Sequence, residues 1–205
     1  MNRMTAAAQA EERTATYQDV LDAPPHRVAE VLAGTLYTQP RPASHHARAS
    51  SGLGAKIGTP FDYGDSGPGG WWIIDEPELH LRMDIVVPDL AGWRRTTMPT
   101  YPDVAYFEIV PDWICEVLSP STRRIDLSEK RTIYAREGVV HLWFVDPDTR
   151  TLEVFRLHKG QWLLLATLTG SAPVSQPPFE AISFPLDALW ADAGGAKESG
   201  EDENG

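Results

Sequence analysis

The sequence predicts an α+β fold, a mixed sheet flanked by a few helices. Three stretches carry that prediction. VVHLWFVD, TLEVFRL and QWLLLATL follow one another, separated by the turns DPDT and HKGQ, which is the pattern of an antiparallel meander. WICEVL (Trp113–Leu118) places Ile114, Glu116 and Leu118 on one strand face and Cys115 and Val117 on the other, so both faces are covered. Residues Asp126 to Glu137 then read as a helix with Ile133 and Tyr134 inward and Gly138 as its C′ stop.

The remaining elements follow in chain order. Thr16 caps a short helix through Tyr17, Val20 and Leu21, which Pro24-Pro25 stops. RVAEVLAGTLYT is a hairpin around Ala33-Gly34-Thr35. Ser44 is a plausible N-cap for a helix that its glycines weaken. GDSGPGG is a loop, and WWIIDEPELHL and MDIVVPDLAGW beside it have strand character, with a break near Glu76-Pro77. Arg94 to Asp112 is proline-punctuated and irregular, SPSTRR is a loop, and Pro185 opens a last short helix through Leu189 and Trp190. The seven tryptophans are expected in the core rather than as stacking platforms for bases. Residues 16–191 are expected to form one domain, with a flexible segment before them (1–15) and a disordered acidic tail after them (192–205).

The 205 residues carry a formal charge of -11. Five acids against Lys197 put -4 of this in the tail, and residues 1–13 balance, which leaves -7 on the body. Bulk charge therefore does not drive the chain onto a polyanion, and any nucleic-acid contact must use a local basic patch. The single cysteine, Cys115, allows no disulfide within the chain. With no apolar signal core and no long apolar run, the expectation is a cytoplasmic protein with no membrane partner.

Chemistry centres on Glu116, because an unpaired buried carboxylate is costly. One solution is structural, an ion pair with Arg123 or Arg124; the other is a functional site. Four Pro-Asp pairs offer it a partner acid. Asp112 lies four residues away along the same strand, roughly 13 Å, too far to share a metal ion. Asp148 belongs to a hairpin turn, and Asp103 sits in irregular chain and stays open. Asp89 ends the apolar run Ile85-Val86-Val87, on a strand that pairs near WICEVL. Lys130 falls on the same helix side as Ile133 and Tyr134, and Glu30 alternates inward with Val28 and Leu32. Two carboxylates on adjacent strands with a lysine nearby suit a hard cation, Mg²⁺ or Mn²⁺, and the hydrolysis of phosphodiesters. The basic residues Arg94, Arg95, Arg123, Arg124 and Arg131 lie close in sequence to these acids, as a rim for a phosphate backbone or simply as solubilising charge.

VVPDLAGWRR, followed by CEVLSPSTRRIDLSEKRTIYAREGVVHLWFVDP, resembles the Uma-two family of small, mostly bacterial proteins of the PD-(D/E)XK superfamily, over about residues 16–190. The resemblance implies a restriction-endonuclease-like core and a Mg²⁺-dependent endonuclease acting on DNA, with RNA an open alternative and Mn²⁺ a substitute metal. It implies that Asp89 is the aspartate of the PD motif and Glu116 the second acid, these two holding the metal. The superfamily's lysine two residues on is Leu118 here, and Lys130 on the following helix matches the family's displaced lysine. Glu30 matches the glutamate of the first hairpin, and His46, beside His45, a histidine of the next helix. Asp126 also falls on a recurrent position, though its local role is that of a helix cap. Relatives in the superfamily often pair, so a homodimer is expected. The acidic balance and Leu118 motivate one alternative, an inactive nuclease-fold module for nucleic-acid or protein interaction.

Overall fold

The computed structural model describes residues 14–41 and 43–190. The tail from 192 and the first thirteen residues of the expected flexible segment lie outside them. Ala15, the end of that segment, donates its N–H to the Gly34 carbonyl at 2.8 Å.

Helix α1 (Tyr17–Leu21) starts at Thr16, whose N–H is taken by the Asp19 carboxylate at 2.7 Å. Strands β1 (Arg27–Leu32) and β2 (Thr35–Pro40) form the hairpin. Ala33 and Gly34 have φ of +49° and +79°, as a two-residue turn matching the sheet twist requires, so Thr35 belongs to β2 and not to the turn. Helix α2 (Ser44–Phe61) runs for 18 residues; Ala43 stands at its N-cap and Ser44 is the first helical residue. Its glycines do not break it, because Gly52 and Gly54 let the helix lie close against Leu189 and Asp75.

The break expected near Glu76-Pro77 is present, and the second run is divided as well. WWIIDEPELHL gives β3 (Trp71–Asp75) and β4 (Leu79–Leu81), and MDIVVPDLAGW gives β5 (Asp84–Val86) and β6 (Leu90–Arg94). Pro77 and Pro88 have no N–H for the ladder, and at each of them the chain passes from one sheet to another. The other strands are β7 (Trp113–Val117), β8 (His141–Asp146), β9 (Thr151–His158) and β10 (Gln161–Thr169). A four-stranded antiparallel sheet has the order β2-β1-β5-β4, and a six-stranded mixed sheet the order β10-β9-β8-β7-β6-β3. In the larger sheet only β7 and β8 run parallel. β10 is an edge strand with Leu163, Leu164 and Leu165 exposed. A short ribbon, β11 (Pro173–Val174) with β12 (Phe184–Pro185), precedes a 3-10 turn over Leu186–Leu189.

A parallel pair needs a crossover, and here it is helical. The helix begins three residues earlier than Asp126, as α3 (Arg123–Ile125), continues through a π-helical turn (Asp126–Lys130) and ends as α4 (Arg131–Glu137). In the wider π turn the Arg131 N–H reaches the Asp126 carbonyl, and Asp126, Lys130 and Tyr134 are all buried. Gly138 closes the helix at φ +85°, donating to the Tyr134 carbonyl at 3.1 Å.

The six-stranded sheet has a core on each face. Cys115 and Val117 pack with Leu53 and Ile57 of α2, Trp113, Trp143 and Phe179. Ile114 and Leu118 pack on the other face with Phe144, Ile133 and Tyr134. Trp71, Trp93, Trp113, Trp143 and Trp190 are buried and Trp72 and Trp162 half-buried, so the tryptophans belong to the core. Burying an aromatic side chain of this size contributes about 2–3 kcal/mol before entropy is counted.

Candidate active site

β7 lies inside its sheet and the crossover helix covers one face of it, so Glu116 has no route to bulk water except along the strand end. Its Oε1 accepts a hydrogen bond from the Tyr134 hydroxyl and lies 2.8 Å from Lys130 Nζ. Neither arginine considered as its partner reaches it: Arg123 pairs with Asp146, and Arg124 with Glu129 at 3.1 Å.

Lys130 is 3 % exposed, and its ammonium is held from three directions. Besides Glu116 it meets Glu30 Oε1 at 3.1 Å and donates to the Val87 carbonyl at 3.2 Å. These three acceptors match its three N–H groups, and Asp126 Oδ1 adds charge at 3.6 Å. Glu30 is fixed in turn: Oε1 accepts the Val87 N–H at 2.8 Å, and Oε2 accepts from Gln39 Nε2 at 3.2 Å. Val87 is thus gripped at both its N–H and its carbonyl, where the chain leaves β5 for β6.

Asp89 follows directly. The pairing of β6 with β7 sets Leu90 opposite Cys115, and one residue further on it brings Asp89 to the level of Glu116. Asp89 Oδ2 accepts the Val117 N–H at 2.7 Å, and Oδ1 lies 3.1 Å from His46 Nε2. Of the two adjacent histidines, His46 is the buried one and His45 is exposed. His46 Nδ1 is buried with no partner among the described residues.

The charges shape one another. Burial pushes the Glu116 carboxyl well up; Lys130 opposes that, while Asp126, Asp89 and Glu30 add to it. Burial likewise raises Asp126, to about 6, against the pull of Lys130. For Lys130 burial works against the charged form, but Glu116 and Glu30 outweigh it and hold the ammonium well above the ordinary lysine range. For His46 burial again opposes charge, and the hydrogen bond and charge of Asp89 prevail, raising it.

These groups line one cleft of about 250 Å³. Glu30, His46, Asp89, Glu116, Asp126 and Lys130 share it with Gln39, with Ser119, Ser121 and Thr122 of the SPST loop, and with Arg41 and Glu76. Asp126 points into the cleft from within the helix instead of capping its end. Arg94, Arg95, Arg123, Arg124 and Arg131 are not among the lining residues. Arg94 and Arg95 lie over the rings of Trp71 and Trp72, Arg131 lies over Phe155, and Arg123 and Arg124 are ion-paired as described. Asp112 is used locally, accepting the Arg94 N–H at 2.8 Å, and neither Asp103 nor Asp148 borders the cleft. Tyr134, Gln39 and Arg41 are the additions that sequence reasoning missed.

Among the described residues no three His, Cys, Asp or Glu side chains converge as a closed metal cage. The donor chemistry of Asp89 and Glu116 nevertheless suits a hard divalent cation, since Mg²⁺ is typically held by one or two carboxylates and keeps several waters. Four acids facing a single lysine also leave an excess of negative charge that a cation would balance.

Residues 14–187 match the model of the Uma2 (Uma-two) family, described as "Putative restriction endonuclease". The chain belongs to the Uma2 family. The fold of this Uma2 member is also similar to the crystal structure of a putative nuclease belonging to DUF820 from Anabaena variabilis, with a TM-score of 0.70 over 87 % of this chain and 99 % of that one. Identity is 20 %, so this likeness speaks for the fold. No curated protein matches the chain. Among the described residues of the Uma2 chain, no helix is long and apolar enough to cross a membrane.

Proposed function

We propose that this Uma2 chain is a metal-dependent nuclease that hydrolyses phosphodiester bonds, with DNA as its substrate. The observation that carries the reading is the buried Lys130 ammonium, held between Glu116 at 2.8 Å and Glu30 at 3.1 Å in a cleft that Asp89 also lines. Asp89 and Glu116 would hold Mg²⁺, or Mn²⁺ in its place. When bound, such a cation lowers the pKa of its water and offsets charge on the phosphate.

The chain's own groups supply the rest. Lys130 keeps its charge throughout and stabilises negative charge developing on the phosphoryl oxygens. Its longest hydrogen bond, to the Val87 carbonyl at 3.2 Å, is the one a water or substrate oxygen displaces. Glu30, locked by Gln39 and Val87, sets where the ammonium stands. His46 holds Asp89 Oδ1 while the Val117 N–H holds Oδ2, which fixes that carboxylate.

The test is conversion of supercoiled plasmid by wild type, Asp89→Asn and Glu116→Gln, with Mg²⁺, with Mn²⁺ and with EDTA, and an RNA substrate in parallel. Metal-dependent cleavage lost in both variants is the expected result. Cleavage that survives in either variant removes that acid from the mechanism. Nucleic-acid binding by a wild type that cuts neither substrate would favour the interaction module, which the full engagement of all three Lys130 N–H groups also suits.

A further inference from the structure

The cleft is acidic, yet the proposed substrate is an anion. Glu30, Asp89, Glu116 and Asp126 line it against Lys130, whose three N–H groups already have acceptors. The other standing positive charge on the lining is Arg41. Its guanidinium Nη1 is 3.2 Å from Glu76 Oε2, and the two side chains are 60 % and 40 % exposed.

Both members of this pair are tied to the site. Arg41 comes two residues after Gln39, whose amide holds Glu30. Glu76 donates its backbone N–H to the Asp89 carbonyl at 3.0 Å, and it takes φ +45°, a conformation that non-glycine residues adopt only when their surroundings impose it. In sequence Arg41 stands between Pro40 and Pro42, and a residue before proline is confined to extended backbone. The main chain is therefore pinned while a long side chain stays free to swing. An exposed ion pair holds only weakly, and guanidinium binds phosphate oxygens in the same forked geometry as carboxylate.

The geometry points to Arg41 as the residue that binds a backbone phosphate of the nucleic acid at the mouth of the cleft, in exchange for Glu76. This rests on the nuclease reading above and names the contact that brings an anionic strand to an acidic site. Glu76 keeps the guanidinium at the mouth until the strand arrives and competes with it for the same fork.

The test is fluorescence-anisotropy binding of a labelled duplex in EDTA, over a series of KCl concentrations, with wild type, Arg41→Ala and Glu76→Gln, each checked for unchanged thermal melting. Arg41→Ala is expected to weaken binding about 5–10-fold and to reduce the slope of log K against log salt by about 0.9. Glu76→Gln is expected to tighten binding about 2–5-fold, because the competing carboxylate is gone. Wild type that binds while Arg41→Ala keeps both its affinity and its slope overturns the assignment and leaves the nuclease reading standing. Weaker binding by Glu76→Gln overturns the exchange. A wild type that binds no nucleic acid at low salt in EDTA, nor with Ca²⁺ added to balance the acids, overturns the nuclease reading, and this inference with it.

Discussion

Tyr134 donates its hydroxyl hydrogen to the same Glu116 oxygen that Lys130 approaches to 2.8 Å. Two donors on Oε1 hold the carboxylate in place. The tyrosine is fully buried, and burial, reinforced by Glu116, raises its hydroxyl well above the ordinary range, so it donates at every working pH.

Tyr134→Phe keeps the ring and removes that donor. Stability should fall by about 1–3 kcal/mol, the scale of losing a buried hydrogen bond to a charged group. In steady-state cleavage assays kcat should drop about tenfold with KM within twofold of wild type, because the carboxylate is loosened and no substrate contact is lost. An unchanged kcat would make the tyrosine merely structural.

Lys130→Met removes the one ammonium from among Glu30, Glu116 and Asp126. At pH 8 the cost should be about 3–5 kcal/mol, because buried carboxylates are left without a counter-charge. The cost should shrink toward pH 5. The folded pKa of Asp126 already lies near 6 against an ordinary 3.8, so the folded state takes up the proton first and gains stability as pH falls through 6 toward 4. Urea denaturation at the two pH values measures this; a variant equally destabilised at both contradicts the charge cluster.

His141 predicts the opposite slope in wild type. It starts β8, its Nδ1 is buried without a partner among the described residues, and burial, then Arg156 and Arg94, lower its pKa to about 4. The folded state refuses a proton that the unfolded chain accepts, so this residue's stability contribution is lost as pH falls from about 6.5 toward 4. Between pH 7 and 5 wild type should lose about 1–2 kcal/mol more than His141→Gln, after allowance for screening by nearby solvent. Asp126 is common to both proteins and cancels in the difference. Parallel losses in the two proteins would assign the acid limb elsewhere.

How far the site was legible depended on how local each signal was. Glu116 stood out because a charged residue in a doubly covered strand breaks the pattern, and Lys130 because it shares a helix side with Ile133 and Tyr134. The strand register then explains Asp89, which one residue of further pairing sets level with Glu116. Tyr134 was legible only as an inward ring, since periodicity does not reveal that its hydroxyl finds a carboxylate 18 residues back. The Arg41–Glu76 pair joins residues 35 apart, and it exists because the chain changes sheets at Pro77 and Pro88. Those prolines were visible, but the second sheet they create was not. The five arginines near the acids in sequence turn to Asp146, Glu129 and aromatic rings, because sequence proximity says nothing about the direction of a side chain leaving a loop.

The division of the chain between two sheets has a consequence for biosynthesis. Glu30 belongs to the smaller sheet, Glu116 to the larger, and Lys130 to the crossover between β7 and β8. A chain still emerging from the ribosome finishes its first hairpin long before residue 130 exists, and chains are built and folded from the N-terminus onward. At that stage it carries the isolated acid of Glu30 and none of the converged site. The cleft is assembled only when the two sheets meet, so a chain that stops short of residue 130 carries Glu30 and Glu116 without the lysine that stands between them.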